Sequence, residues 1–159
     1  MKYLLAAMAS LVTLTTSANQ ALTINVPQLH YQIANRAVLQ AIDECTKKGF
    51  KVSAAVIDRN GNLISFIRHP LAGPHTIKTS QKKAFTAASL QSPTGLQLQK
   101  ERPDLNFAPG IVLIQGAQPI NIAGQYYGGI AVAGADTKTD ESSAIKGLEL
   151  INNALEFAD

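Results

Sequence analysis

The chain has 159 residues, 46% hydrophobic, 16% charged and 6% aromatic, with 14 Lys plus Arg against 11 Asp plus Glu and a formal net charge of +3. That length and balance describe one globular domain with a single sizeable core. They exclude a nucleic-acid footprint, because no basic run carries interleaved aromatics and no zinc-finger or RNA-binding signature follows.

Residues 1–21 have the pattern of a secretory signal. Lys2 supplies a short positive segment, Tyr3 to Leu14 an apolar one, and the small residues up to Ala18 or Ala21 a cleavage zone. The apolar span is short for a membrane helix, so a soluble periplasmic or secreted protein is expected, with residues 22–159 as one domain. Cys45 is the sole cysteine, which rules out an internal disulfide. Its place on the apolar side of a helix points to burial.

Val26-Pro27 opens the first predicted helix, which runs to about Lys48 and closes on Gly49. Leu29, Ile33, Ala37, Ala41 and Cys45 recur every four residues and form its apolar stripe. His30, beside Leu29, is read first as a structural residue and only second as a ligand to haem or a metal. Lys51 to Asp58 and Leu63 to Arg68 are two β-forming runs around Asn60-Gly61, the strongest short hairpin signal. Asp58 is placed to bond the turn backbone, and His69-Pro70 ends the second strand.

Gly73-Pro74-His75-Thr76 precedes a helical pattern that continues to Leu90. His75 therefore sits where a helix begins and backbone N–H groups are unpaired, a position suited to an anion or ligand. Thr76 can cap the first turn. Ile77, Ser80, Ala84 and Ala88 form a stripe of mostly small residues that predicts close packing, while Lys78, Lys82 and Lys83 lie elsewhere on the circumference and could attract an acidic ligand. The plain alternative is loop punctuation followed by a solvated lysine face.

Ser92-Pro93-Thr94 restarts a helical turn to about Lys100, and Leu105 to Gly110 is a loop bearing Phe107. Ile111 to Ile114 is a short apolar run, followed by Ile120 to Ile122 and by Tyr126 to Ala133, all predicted as strand. Gly128, Gly129 and Gly134 signal close approach of a backbone or ligand, or a bulge. Thr139-Asp140-Glu141 is expected to start the last helix, with Ile145, Leu148, Ile151 and Leu155 as its buried stripe. Asp136, Asp140 and Glu141 are a possible cation cluster, although acids at a helix start need no metal to explain them. The whole reads as α+β: an antiparallel sheet of about five strands covered by helices, with no βαβ repeat. No G-x-S-x-G, H-E-x-x-H, Walker or dinucleotide fingerprint is present, and no catalytic constellation is recognisable.

Several stretches together resemble the GlcG/HbpS-like haem-binding or haem-degrading domain family. They are Ala55-Val56-Ile57-Asp58 with the Asn60-Gly61 turn, Phe66-Ile67-Arg68, the run from Gly73-Pro74-His75-Thr76 to Ala87, Ser92-Pro93-Thr94, and Gly129 to Ala135. The resemblance spans nearly the whole chain after residue 21 and implies a profilin-like fold, frequent homo-oligomers such as octamers, and haem binding in exported members. Cytoplasmic relatives accompany glycolate, glycerol or propanediol metabolism, one as the C-terminal domain of a corrinoid adenosyltransferase. The chain departs from the family at Arg68-His69-Pro70-Leu71-Ala72, where many members have Arg-x-Asp-Gly-Ala, so the acid is absent.

Haem is an apolar plate with two carboxylates, so its site needs an axial ligand, flat walls and cations. On this basis His75 is the candidate ligand to haem iron and His69 the rival. Arg68, Lys78 and Lys83 are the candidate propionate partners, Thr76 lies beside them, and Phe107, Tyr126 and Tyr127 are candidate walls. A site shared between subunits fits the same expectation. Two further functions stay open: an accessory protein or enzyme for small hydroxy acids, aldehydes or diols, which a signal peptide disfavours, and a ligand-sensing module for a membrane receptor.

Overall fold

The computed structural model describes residues 22–157, so the signal-like segment 1–21 lies outside the described residues. Helix α1 (Tyr31–Lys47) begins later than Pro27, because His30 is the residue that caps it. His30 holds extended angles (φ −67°, ψ 138°), and its Nδ1 accepts from the Gln32 amide at 3.3 Å. Ala34, Ala37, Val38, Ala41, Ile42 and Cys45 form the buried stripe. Gly49, at φ 87°, ends the helix in the left-handed conformation that glycine adopts without strain.

Strand β1 (Ser53–Asp58) is buried along its whole length, which is why it reads as an unbroken run of small and apolar residues. It pairs antiparallel with β2 (Leu63–Arg68) across the predicted turn. Asp58 closes that turn, accepting from the Asn60 and Asn62 amides at 2.8 Å each and from Asn62 Nδ2 at 3.1 Å. Helix α2 (His75–Leu90) follows, then the short α3 (Leu96–Glu101) and a 3-10 turn at Pro103–Phe107. Strands β3 (Ala117–Ile122) and β4 (Gln125–Ala133) and helix α4 (Thr137–Glu156) complete the order.

The four strands form one antiparallel sheet in the order β2-β1-β4-β3. Among the described residues the expected fifth strand is absent, because Ile111–Ile114 does not join the ladder. The Val112 amide goes instead to Thr86 Oγ1 of α2 at 2.8 Å, and Leu113 packs with Leu98 and Leu105 in a satellite cluster. Pro119 sits in β3, an edge strand, where a residue without an amide proton does no harm.

Helices α1 and α4 cover one face of the sheet, burying Val38, Ile42, Val56, Ile130, Val132 and Ile151 between them. Helix α2 covers the other through Ala84, Ala87 and Ala88 against Ala55, Ala117 and Ala131. The small residues allow unusually close approach: a Cβ on Gly129 would lie 2.5 Å from the Ala84 carbonyl oxygen. Helix α4 starts earlier than expected, at Thr137, and of its expected stripe Ile151 is buried and Leu148 and Leu155 pack on the core. Asp136 caps it, accepting from the Lys138 and Thr139 amides at 3.1 and 3.0 Å, and Ser143, Ala144, Gly147 and Ile151 face inward while Ile145 is exposed.

Candidate functional site

The start of α2 is held to the sheet by hydroxyls. Thr76 Oγ1 donates to the Gly73 carbonyl at 2.6 Å and lies 2.7 Å from Ser53 Oγ on β1. A threonine has one hydroxyl proton, so Ser53 donates to Thr76. Thr76 is thus buried and fully engaged. His75 is exposed, its ring folded back over Gly73, where a Cβ would lie 2.7 Å from Cε1. Arg68 donates through Nε to the Ala72 carbonyl at 3.1 Å and through a terminal nitrogen to the same oxygen, clamping the loop that carries His69. His69 Nδ1 accepts from the Leu71 amide at 3.1 Å. Lys78 is exposed and makes no ion pair with any described residue.

Lys83 is not at this surface. Its side chain is fully buried, with Nζ 3.0 Å from Asp140 Oδ2, and Asp140 Oδ1 accepts from the Ala135 amide at 3.0 Å. Burial pushes the Asp140 carboxyl up and the Lys83 ammonium down. Gly116 leaves room for the ammonium, since a Cβ there would lie 2.3 Å from Nζ. The three acids near the start of α4 therefore have separate tasks: Asp136 caps, Asp140 pairs with Lys83, and Glu141 accepts from Gln115 Nε2 at 2.6 Å.

The candidate walls do not gather around His75. Phe107 is 89% exposed and ends the 3-10 turn beyond α3, which packs by Leu90 at the far end of α2. Tyr126 donates its hydroxyl to the Ala88 carbonyl, also in the last turns of α2. Tyr127 lies where the β3–β4 register shifts, and it packs on the α1/α4 core, across the sheet from α2.

A groove of about 660 Å³ opens instead between the first turns of α1 and β2, lined by His30, Tyr31, Ile33, Arg36 and Ile64 among others. Two features of the chain build it. His30, Ile33 and Arg36 recur every three residues and so share one flank of α1. On β2 a register shift opposite Val56/Ile57 turns Ile64 toward the α1 side, where it packs on the core. Ser65 Oγ donates to Asn35 Oδ1 at 3.2 Å and ties the two walls together. The His30 and Tyr31 rings lie 4.6 Å apart at 33°, and Arg36 makes no ion pair with any described residue. An imidazole, a free guanidinium, an aromatic ring and two isoleucines thus converge on one concavity. Because Nδ1 of His30 accepts a hydrogen bond from the Gln32 amide, a neutral ring carries its proton on Nε2. The three-residue spacing was the local signal for Arg36; Ile64 had none, since only the register shift brings it there.

The family model for the haem degrading protein HbpS-like family matches residues 29–149. Protein GlcG of Escherichia coli K12 is 30% identical over 108 residues, covering 66% of this chain and 81% of that protein. The crystal structure of HbpS superposes with a TM-score of 0.77 at 33% identity over 81% of this chain and 94% of that one. A double mutant of Streptomyces reticuli HbpS gives 0.77 at 31% identity over 92% and 99%. The crystal structure of PduOC in complex with haem gives 0.72 at 19% identity over 79% and 96%, a likeness of fold. By its helix-flanked four-stranded sheet, and by a match that runs from Leu29 to Glu149, the chain belongs to the HbpS-like family to which the haem degrading protein HbpS gives its name.

Proposed function

We propose that the protein binds haem in the groove between α1 and β2, with His30 as the iron ligand, and acts as an exported haem-binding protein. The observation that carries this is the convergence of His30, Arg36, Tyr31, Ile33 and Ile64 on one groove of about 660 Å³. Those residues supply a ligand, apolar walls and a cation for one of the two carboxylates of an apolar plate. Ile33 and Ile64 give the apolar surface, Tyr31 a flat ring, Arg36 a cation for a propionate, and His30 the ligating nitrogen. His75 has the imidazole without such walls around it. Family membership and the haem complex of PduOC, which shares the fold, support the ligand class.

Bound haem supplies a redox-active iron; the chain supplies its ligand and its surroundings. To ligate, His30 must present an unprotonated nitrogen. Either Nδ1 releases the Gln32 amide, or the proton moves from Nε2 to Nδ1 and the amide again loses its acceptor. Ligand binding is therefore coupled to the cap of α1. The signal-like residues 1–21 support export, and the edge position of the groove on β2 leaves room for a second subunit to complete it.

The test is a haemin titration of residues 22–159 followed by absorbance, with His30→Ala, His75→Ala and His69→Ala alongside. The expected result is a sharp Soret band that saturates near one haem per chain or per pair and is lost in His30→Ala alone. Loss in His75→Ala with retention in His30→Ala would move the ligand to the start of α2. A broad, unsaturating rise in all four proteins would overturn specific haem binding and direct attention to small organic acids.

A further inference from the structure

A second groove, of about 310 Å³, lies on the opposite face of the sheet between α2 and the β1–β2 turn. Its apolar floor is Ile57, Leu63 and Phe85. Leu63 pairs with Ile57 across the strands, so the two side chains stand on one face, and Leu63 remains 48% exposed. The Phe85 ring is flanked by two glycines rather than by side chains. A Cβ on Gly61 would lie 2.9 Å from Cε2, and one on Gly110 would lie 3.6 Å from Cε1. Both glycines have left-handed φ, 88° and 83°, so the loops that bound the groove favour a residue without a side chain.

The polar end is set by helical spacing. Gln81 and Lys82 precede Phe85 by four and three residues, which places them one turn toward the start of α2 on the flank that carries the ring. Lys78 is one turn further on. Lys82 is exposed and makes no ion pair with any described residue. The ammonium and the Gln81 amide therefore stand at one end of an apolar trough.

From this arrangement we infer that the groove binds a small amphiphilic monocarboxylate: an alkyl or aryl body over Ile57, Leu63 and Phe85, with its carboxylate at Lys82 and Gln81. The charge selects an anion, and the trough, near the lower end of ligand-site volumes of about 300–1,000 Å³, selects a small one. The site is separate from the His30 groove, with the sheet between them, and does not depend on haem.

Octanoate is the probe, followed by two-dimensional NMR of the methyl, aromatic and backbone amide resonances, with octanol and octyltrimethylammonium as matched neutral and cationic chains. The expected result is saturation at one octanoate per chain, with the largest shifts at Leu63, Phe85 and the Gly110 amide. Lys82→Gln weakens octanoate about tenfold, the loss of one charge-assisted contact, and leaves octanol unchanged. Leu63→Ser, at a half-exposed position, weakens all three chains, and His30→Ala alters none. Equal affinity for octanoate and octyltrimethylammonium, no effect of Lys82→Gln, or shifts confined to the α1/β2 groove would each overturn the assignment. The effects of Lys82→Gln and Leu63→Ser are read independently of haem binding at His30.

Discussion

Lys83 Nζ and Asp140 Oδ2 meet 3.0 Å apart with both side chains out of solvent, joining the middle of α2 to the first turn of α4 across the rim of the sheet. Each of the two helices covers a different face, so this pair is the polar tie between the layers.

A buried pair of this kind is costly to break and inexpensive to replace as a unit. Lys83→Met leaves an unpaired carboxylate and is expected to destabilise the fold by about 3–5 kcal/mol. Adding Asp140→Asn removes the charge while an amide oxygen remains to accept from Ala135, whose N–H now bonds Oδ1 at 3.0 Å. The double variant should recover most of the loss, to within about 1 kcal/mol of the native chain. Urea unfolding of the native chain, Lys83→Met and the double variant measures this, and a double variant as unstable as Lys83→Met would refute it.

The same pair fixes a pH dependence. Burial raises the folded-state pKa of Asp140 above 3.8 and lowers that of Lys83 below 10.5. A carboxyl with a raised pKa binds its proton more tightly when folded, so stability falls as pH rises from 3.8 through the raised value. An ammonium with a lowered pKa binds its proton more tightly when unfolded, so stability rises with pH from the lowered value to 10.5. Against the double variant, the native chain should be at its weakest between those two intervals and should regain ground in both directions. A flat difference in unfolding free energy from acid to alkaline pH would contradict it.

His30 has two roles that substitution can separate. Asparagine is among the best N-caps and alanine among the poorest, with typical differences of about 1 kcal/mol. Because the His30 cap bond is long, 3.3 Å, and exposed, His30→Asn should melt at or slightly above the native temperature while losing the haem Soret band. His30→Ala should lose the band and melt lower. A Soret band that survives in His30→Asn would show that the imidazole is not the ligand, whatever the melting temperature.

Turns and helix stripes are encoded locally, whereas strand pairing and buried ion pairs depend on residues far apart in the chain. The Asn60-Gly61 hairpin, the Gly49 stop and the close packing of α2 through Ser80, Ala84 and Ala88 were legible, because turn chemistry and periodicity reside in neighbouring residues. Ile111–Ile114 misled because a short apolar run is the same whether it pairs in a sheet or tucks under a helix, and the Thr86 hydroxyl decided between them. Lys83 looked like a surface cation, and its burial depends on Asp140, 57 residues away, and on Gly116. At the groove the imidazole of His30 was visible in the sequence, but the opposite wall was not, because only the register shift on β2 brings Ile64 to it.

Gly147 shows how a residue that weakens its own helix can be required by the next one. Glycine inside a helix costs about 1 kcal/mol relative to alanine, so Gly147→Ala in α4 should stabilise an isolated helix. In the folded protein the added Cβ would lie 2.5 Å from Ile130 Cδ1 and 2.8 Å from the Ala37 carbonyl oxygen of α1. The isoleucine methyl can move, but the α1 backbone can yield only by separating the two helices, which pack along the buried stripe that includes Ala37. Overpacking of this kind costs about 1–3 kcal/mol, which exceeds the propensity gain. Gly147→Ala should therefore lower the melting temperature, while a peptide of residues 137–156 with the same change gains helicity by circular dichroism. A protein stabilised to the same degree as the peptide would mean that α1 and α4 do not approach as closely as the Ala37 carbonyl requires.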